Sequence, residues 1–156
     1  MIKEFHFSYE LLPSKSELNA NDQLLAEQAI DAMNKAYAPY SKFHVGAALQ
    51  LITGEIIQGN NQENIAYPSG LCAERVALFY AGANFPGIEI ETLCIVATGD
   101  LVPKSHILSP CGSCRQVMLE SQTRQKKPIR VILINQDGTI LIVNSVKDFL
   151  PFGFGK

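Results

Sequence analysis

The sequence predicts a layered α/β fold built around a mixed central sheet, and three observations carry that reading. First, the chain has 156 residues, 47% of them hydrophobic and 18% charged. That is the size of one domain with enough apolar material for a core, and it argues against disorder. Second, strand-like and helix-like periodicities alternate through the second half. Third, two segments, each opening on a cysteine after a loop, read as helix starts. Thirteen basic against fifteen acidic residues give a net charge of −2, and a pI near 5.9 leaves no overall basic footprint for nucleic acid. No apolar run approaches the roughly 18–20 residues of a membrane helix. The start, residues 1–7, carries an acid and two aromatics with no apolar signal core behind it, so the chain reads as cytoplasmic and as one domain over residues 1–156.

Residues 2–11 alternate, with Phe5, Phe7, Tyr9 and Leu11 on one face, which predicts a strand. Pro13 and the polar run after it make a loop. Asn21 then caps a helix whose apolar positions are Leu25, Ala29, Ala32, Met33 and Ala36. Ala38-Pro39-Tyr40 ends it, because the residue before proline is driven out of the α region. Residues 45–52 and 55–58 form a hairpin about Thr53-Gly54. A long polar loop over 59–71 needs a function to order it. A helix over 73–82 stops at Gly82, followed by a buried strand at 92–98 and a helix at 114–122. Strands at 129–135 and 139–143 flank Gln136-Asp137-Gly138, and a short helix at 145–150 stops at Pro151.

Four cysteines stand at 72, 94, 111 and 114. In a reducing compartment a Cys-x-x-Cys pair is metal-binding or redox-active rather than a structural bridge. Cys111-Gly112-Ser113-Cys114 at a helix start lets two sulfurs converge, and Cys72 can complete a tripod. Three thiolates leave one position of tetrahedral Zn²⁺ open, the arrangement of a catalytic site. Helix N-termini stabilise thiolates, and Arg75 and Arg115 stand ready to donate to sulfur. Glu74, two residues from a ligand, is placed for proton shuttling beside a water on the metal.

Cys72-Ala73-Glu74-Arg75 followed by Pro110-Cys111-Gly112-Ser113-Cys114 matches the signature of the zinc nucleobase deaminases. From about residue 21 to its end the chain resembles the small, homotetrameric cytidine deaminases. The matching segments include Ala36-Tyr37-Ala38-Pro39-Tyr40-Ser41-Lys42-Phe43, Val45-Gly46-Ala47-Ala48, Asn61-Gln62-Glu63-Asn64, Ser109 to Gln116, and Leu150-Pro151-Phe152-Gly153-Phe154-Gly155. The resemblance implies an α/β/α sandwich and one zinc per chain on Cys72, Cys111 and Cys114. It implies Glu74 as proton shuttle, Arg75 bonding the thiolates, and Asn61 with Glu63 on the ribose hydroxyls. Phe43 and Phe154 match aromatics near the pyrimidine, Phe154 reaching in from a neighbouring subunit, and Tyr67 matches a tyrosine at a subunit boundary. The reaction so implied is hydrolysis of cytidine and 2′-deoxycytidine to the uridines and ammonia, with the Ala73 N–H holding the O2 carbonyl.

The chain departs from the family at His44, where proline is usual, in the loop 66–71, and in residues 1–20, which form an N-terminal extension. Competing readings remain. Cys94 reads as a buried core residue; as a fourth ligand it would close the site and make a zinc-stabilised structural domain. Cys111 and Cys114 have an alternative as a redox pair. Asn61 and Glu63 have one as loop caps, and Phe152 and Phe154 as core plugs. His44 reads as a satisfied strand-edge side chain, and His6 and His106 as surface residues. A blasticidin-S-type deaminase shares the zinc motifs, and the Asn61/Glu63 pair argues against it.

Overall fold

The computed structural model describes residues 1–155. Its strands are β1 (Glu10–Leu12), β2 (His44–Leu51), β3 (Ile56–Asn60), β4 (Ile90–Thr98), β5 (Arg130–Ile134) and β6 (Ile140–Val143). They form one sheet in the order β1-β6-β5-β4-β2-β3. Only β4 and β5 are parallel neighbours; the other pairs are antiparallel. The sheet is mixed, as expected.

Three helices cover it: α1 (Ala20–Asn34), α2 (Ala73–Asn84) and α3 (Gly112–Gln125). Side chains alternate across a pleated strand, and here both faces are apolar. On one face Ala47, Leu49, Leu93, Ile95, Val131, Leu133 and Leu141 pack with Ala77 and Leu78 of α2 and Met118 of α3. On the other, Ala48, Cys94, Val96, Ile132 and Ile142 meet Leu25, Ala26 and Ala29 of α1. The result is the three-layered α/β/α sandwich. A half-buried Arg130–Asp22 pair, bidentate at 2.8 Å, ties the start of α1 to the start of β5.

The topology places the helix starts. A parallel pair needs a crossover connection, and α3 supplies it between β4 and β5. Because β3 and β4 each run antiparallel to β2, they run parallel to one another, and α2 is the crossover between them. Both helices therefore begin at the same edge of the sheet, beyond the carboxyl ends of β3 and β4, and lie on the same face. Gly59 lets α2 approach: a Cβ there would lie 2.5 Å from the Ala73 carbonyl oxygen. Gly46 does the same for α1, at 2.0 Å from the Ala29 carbonyl oxygen.

Several expected boundaries move. The strand expected over 2–11 is confined to the edge strand β1, because its partner β6 offers three paired positions; Phe5, Phe7 and Tyr9 are left exposed. Asn19, not Asn21, caps α1, its side chain accepting from the Asp22 amide at 2.9 Å. That helix ends at Asn34, ahead of the Ala38-Pro39 break. Gly59 belongs to β3 rather than to the loop. Gly82 lies within α2, whose packing outweighs the roughly 1 kcal/mol that glycine costs a helix. The last helix is a 3₁₀ turn, Val146–Phe149. Among the described residues no helix is long and apolar enough to cross a membrane.

Candidate active site

Cys72 occupies the N-cap of α2 and Cys111 the N-cap of α3, with Cys114 in the first turn of α3. Neither cap sulfur is spent on a capping hydrogen bond. The Cys111 and Cys114 sulfurs are 3.4 Å apart, Cys72 and Cys111 3.9 Å, and all three lie within 4.8 Å of one another. Zinc–sulfur bonds of about 2.3 Å in a tetrahedron set sulfurs about 3.8 Å apart, so this donor set fits zinc. The fourth cysteine is elsewhere: Cys94 is fully buried in the layer under α1, and burial pushes its thiol up. Among the described residues the cluster is a tripod with one side open, not a closed four-sulfur site.

The surroundings favour negative sulfur. Cys72 is held down to about 5, first by the Cys114 thiol beside it and then, against the cost of burial, by Arg75. The same contact and burial push the Cys114 thiol up. Arg75 donates Nη2 to Cys72 Sγ at 3.7 Å, and its buried Nε has no acceptor, leaving a further donor at the cluster. Arg115, expected on sulfur too, is engaged elsewhere. Its guanidinium donates to Pro110 O at 2.8 Å, Ser109 Oγ at 2.6 Å and Phe149 O at 3.1 Å, bracing the loop before α3 and the chain's last turn. Glu74 is 4% exposed in the first turn of α2. Burial above all, then the charge of Cys72, raises its carboxyl above the usual range. A buried carboxyl with a raised pKa is of the kind that can carry a proton in catalysis.

The cluster lies in a cleft of about 600 Å³, within the range of small-molecule sites. Phe43, Asn61, Glu63, Tyr67, Cys72, Glu74, Arg75 and Cys111 line it. Asn61 and Glu63 clamp the segment 40–45. Asn61 Nδ2 donates to Phe43 O at 2.9 Å, and its Oδ1 accepts from Val45 N at 2.8 Å. Glu63 accepts from the Tyr40 and Ser41 amides at 2.9 and 3.2 Å and from the Ser41 hydroxyl. Tyr67 sits edge-on to Tyr40, centroids 6.2 Å apart. Ala73 is buried as the first residue of α2, so its N–H has no intrahelical acceptor. Phe154 does not line its own chain's cleft and is 90% exposed. His44 opens β2, paired with Thr98.

Sequence reasoning missed three contributors. Ser41 gains its role only through the fold, which sets its hydroxyl and amide on the Glu63 carboxylate. Leu101 and Leu108, in the loop before α3, add an apolar wall, and no periodicity marks a loop residue as pocket lining.

Comparison with known proteins accords with this geometry. Residues 19–129 match the family described as "Cytidine and deoxycytidylate deaminase zinc-binding region". A cytidine deaminase of Halalkalibacterium halodurans is 40% identical over 132 residues, 85% of this chain and 92% of that protein. One of Sporosarcina psychrophila is 40% identical over 136 residues, 86% and 91% of the two chains. The crystal structure of a cytidine deaminase from Burkholderia pseudomallei superposes with a TM-score of 0.72 at 41% identity, covering 84% of this chain and 97% of that one. With its fold, its sulfur tripod and these relatives in agreement, the chain belongs to the cytidine and deoxycytidylate deaminase family of zinc-binding proteins.

Proposed function

We propose that this protein catalyses hydrolytic deamination of cytidine and 2′-deoxycytidine, giving uridine or 2′-deoxyuridine and ammonia, a reaction of pyrimidine nucleoside salvage. The observation that carries the reading is a buried Glu74 beside three convergent sulfurs in a nucleoside-sized cleft. Held by Cys72, Cys111 and Cys114, zinc would supply the Lewis acidity that makes a water nucleophilic near neutral pH. Glu74 is placed to accept a proton from the attacking water, to deliver it to ring N3, and to pass a second to the departing amine. The Ala73 N–H holds the O2 carbonyl, and Arg75 offsets thiolate charge.

Asn61 and Glu63 hold the ribose, and their hydrogen-bonding capacity supports this. Asn61 has used one of two amide hydrogens and one of two lone pairs on the protein. Glu63 has three incoming donors against roughly four acceptor sites. What is left, a donor and acceptor on one residue and an acceptor on the other, suits a diol and not a phosphate. The pair is anchored by its backbone bonds and still has capacity for ligand, so the loop-cap and sugar readings coexist. Phe43 packs against the pyrimidine.

The assembly is read as a homotetramer with shared sites, Tyr67 at a boundary and Phe154 entering a neighbour's cleft. The exposure of Phe152 and Phe154 supports this and speaks against a core plug. The chain is read as cytoplasmic and as one deaminase unit over 1–156, with residues 1–20 an extension of which 1–18 precede the family match.

The test is ammonia release from cytidine by the purified protein, with zinc measured on the same sample. Turnover with about one zinc per chain, lost on chelation, is expected. Glu74→Ala should keep its zinc and lose about 10²–10⁴-fold in rate. Near-normal turnover in that variant sinks the assignment. Zinc-loaded protein that ignores cytidine but turns over blasticidin S redirects the reading to that substrate.

A further inference from the structure

The last residues of the chain have a fixed backbone and bare rings. Gln116, two residues after Cys114, grips Phe154 at both backbone groups: its Nε2 donates to Phe154 O at 2.7 Å and its Oε1 accepts from Phe154 N at 3.2 Å. Arg115 holds Phe149 O at 3.1 Å. Between these grips Gly153 lies so close to α3 that a Cβ there would meet Leu119 Cδ2 at 2.2 Å. Phe152, at φ +58°, takes the left-handed backbone that the turn requires. Arg115, Gln116 and Leu119 stand on adjacent rows of one helix, so the tail is pinned along α3. Yet the rings of Phe152 and Phe154 touch almost nothing, at 103% and 90% exposure.

Two hydrogen bonds and a close-packed glycine spent on backbone, with the aromatic side chains left in solvent, is how a chain presents a group to something outside itself. We infer that Gln116 is a positioning residue: its two-point grip on the Phe154 backbone aims that ring into the cleft of a neighbouring copy. The inference rests on the shared-site reading above and adds to it a mechanical link. The helix that carries Cys111 and Cys114 of one copy also holds the aromatic wall of the next copy's cleft. Gln116 touches neither substrate nor sulfur in this role; it acts only through Phe154.

The link has a diagnostic in mixed assemblies. Gln116→Met keeps the side-chain volume and removes both hydrogen bonds. Losing both hydrogen bonds, partly offset by the loosened tail, should raise KM about tenfold. kcat should stay within about twofold, with zinc content unchanged; Phe154→Ala should show the same split. Co-assembly with Glu74→Gln chains, which lack turnover but keep the tail, should then restore a low KM to both variants, because the intact tail comes from the neighbour. Co-assembly of Gln116→Met with Phe154→Ala should restore nothing, since neither donates a placed ring. If Gln116 instead served its own copy's metal helix, the pattern reverses: no rescue by Glu74→Gln chains, and recovery in the mixture with Phe154→Ala. A wild-type KM in Gln116→Met also overturns the inference. Should Phe154→Ala itself fail to be rescued by Glu74→Gln chains, the shared site falls, a failure separate from that of the grip. If Gln116→Met fails to fold, Gln116→Asn, one methylene too short for both bonds, serves in the same mixtures.

Discussion

Gly59→Ala tests whether the zinc tripod is set by sheet–helix contact rather than by the cysteine motifs alone. The added Cβ would lie 2.5 Å from Ala73 O, 2.6 Å from Ala77 N and 3.0 Å from Ala77 Cβ. Two of these are backbone atoms of α2 and cannot rotate away. Ordinary contact begins at 3.4 Å, so the first turn of α2 must withdraw by about 1 Å, a displacement of the size that costs roughly 10²-fold at a reacting centre. Overpacking of this kind costs about 1–3 kcal/mol, and at about 2–4 °C per kcal/mol for a chain of this length the melting temperature should fall by several degrees. Because Cys72, Ala73 and Glu74 ride on that turn, zinc affinity should fall with stability. The assay is competition for zinc against a chromophoric chelator, paired with urea unfolding. Gly112→Ala is the control. It lies between Cys111 and Cys114, but a Cβ there meets nothing within 4 Å; both readouts should match wild type. Unchanged zinc affinity in Gly59→Ala, or a loss confined to Gly112→Ala, would refute the reasoning.

Three further outcomes follow from packing and hydrogen bonding. Cys94→Ala should keep one zinc per chain and full turnover while losing about 1 kcal/mol to a small cavity, measured by metal analysis and urea unfolding; loss of zinc would return Cys94 to the ligand set. Asp22→Ala leaves the half-buried Arg130 without its partner at the start of β5 and should cost about 2 kcal/mol, with kcat/KM per folded molecule unchanged, because the pair lies across the sheet from the cleft. Ser41→Ala removes a donor to the Glu63 carboxylate. A hydrogen bond to a charged group is worth about 1.5–3 kcal/mol, so steady-state kinetics should show KM for cytidine rising roughly tenfold, with zinc and kcat held; a fall in kcat alone would detach Glu63 from sugar binding.

What was legible in the sequence was whatever depends on neighbours along the chain. The strands β2 to β6 and the helices α1 to α3 stand within a few residues of where periodicity and turn chemistry put them. The cysteines mark helix starts because a residue at the N-cap is followed at once by helical periodicity. What the sequence hid depends on contacts from elsewhere in the fold. Phe5, Phe7 and Tyr9 alternate like a strand, but a strand needs a partner edge, and β6 pairs with this segment only at Glu10–Leu12. Gly59 looks like a loop residue until α2 lies across it. Arg115 follows a zinc ligand as Arg75 does, yet it sits one residue past Cys114, where the α3 surface turns it toward Pro110 and Phe149 and away from the sulfurs. Motif position assigned the two arginines one role; helix geometry gave them two.

That diversion bears on how the centre stays electrophilic. Three thiolates on a dication leave one surplus negative charge, which by itself makes a water on the metal a weaker acid. With Arg115 spent on loop and tail, compensation falls to the two helix N-termini and to Arg75. Each terminus is worth about half an elementary charge, and α2 and α3 both direct theirs at the cluster. Together the pair matches the surplus before Arg75 is counted. The guanidinium at 3.7 Å from Cys72 Sγ then tips the balance to positive, in a site where burial already holds Glu74 toward its neutral form. The crossover topology thus does two things with one arrangement: starting α2 and α3 at the same sheet edge brings the sulfurs together and directs at them two positive helix ends, the charge that would offset three thiolates on a bound zinc.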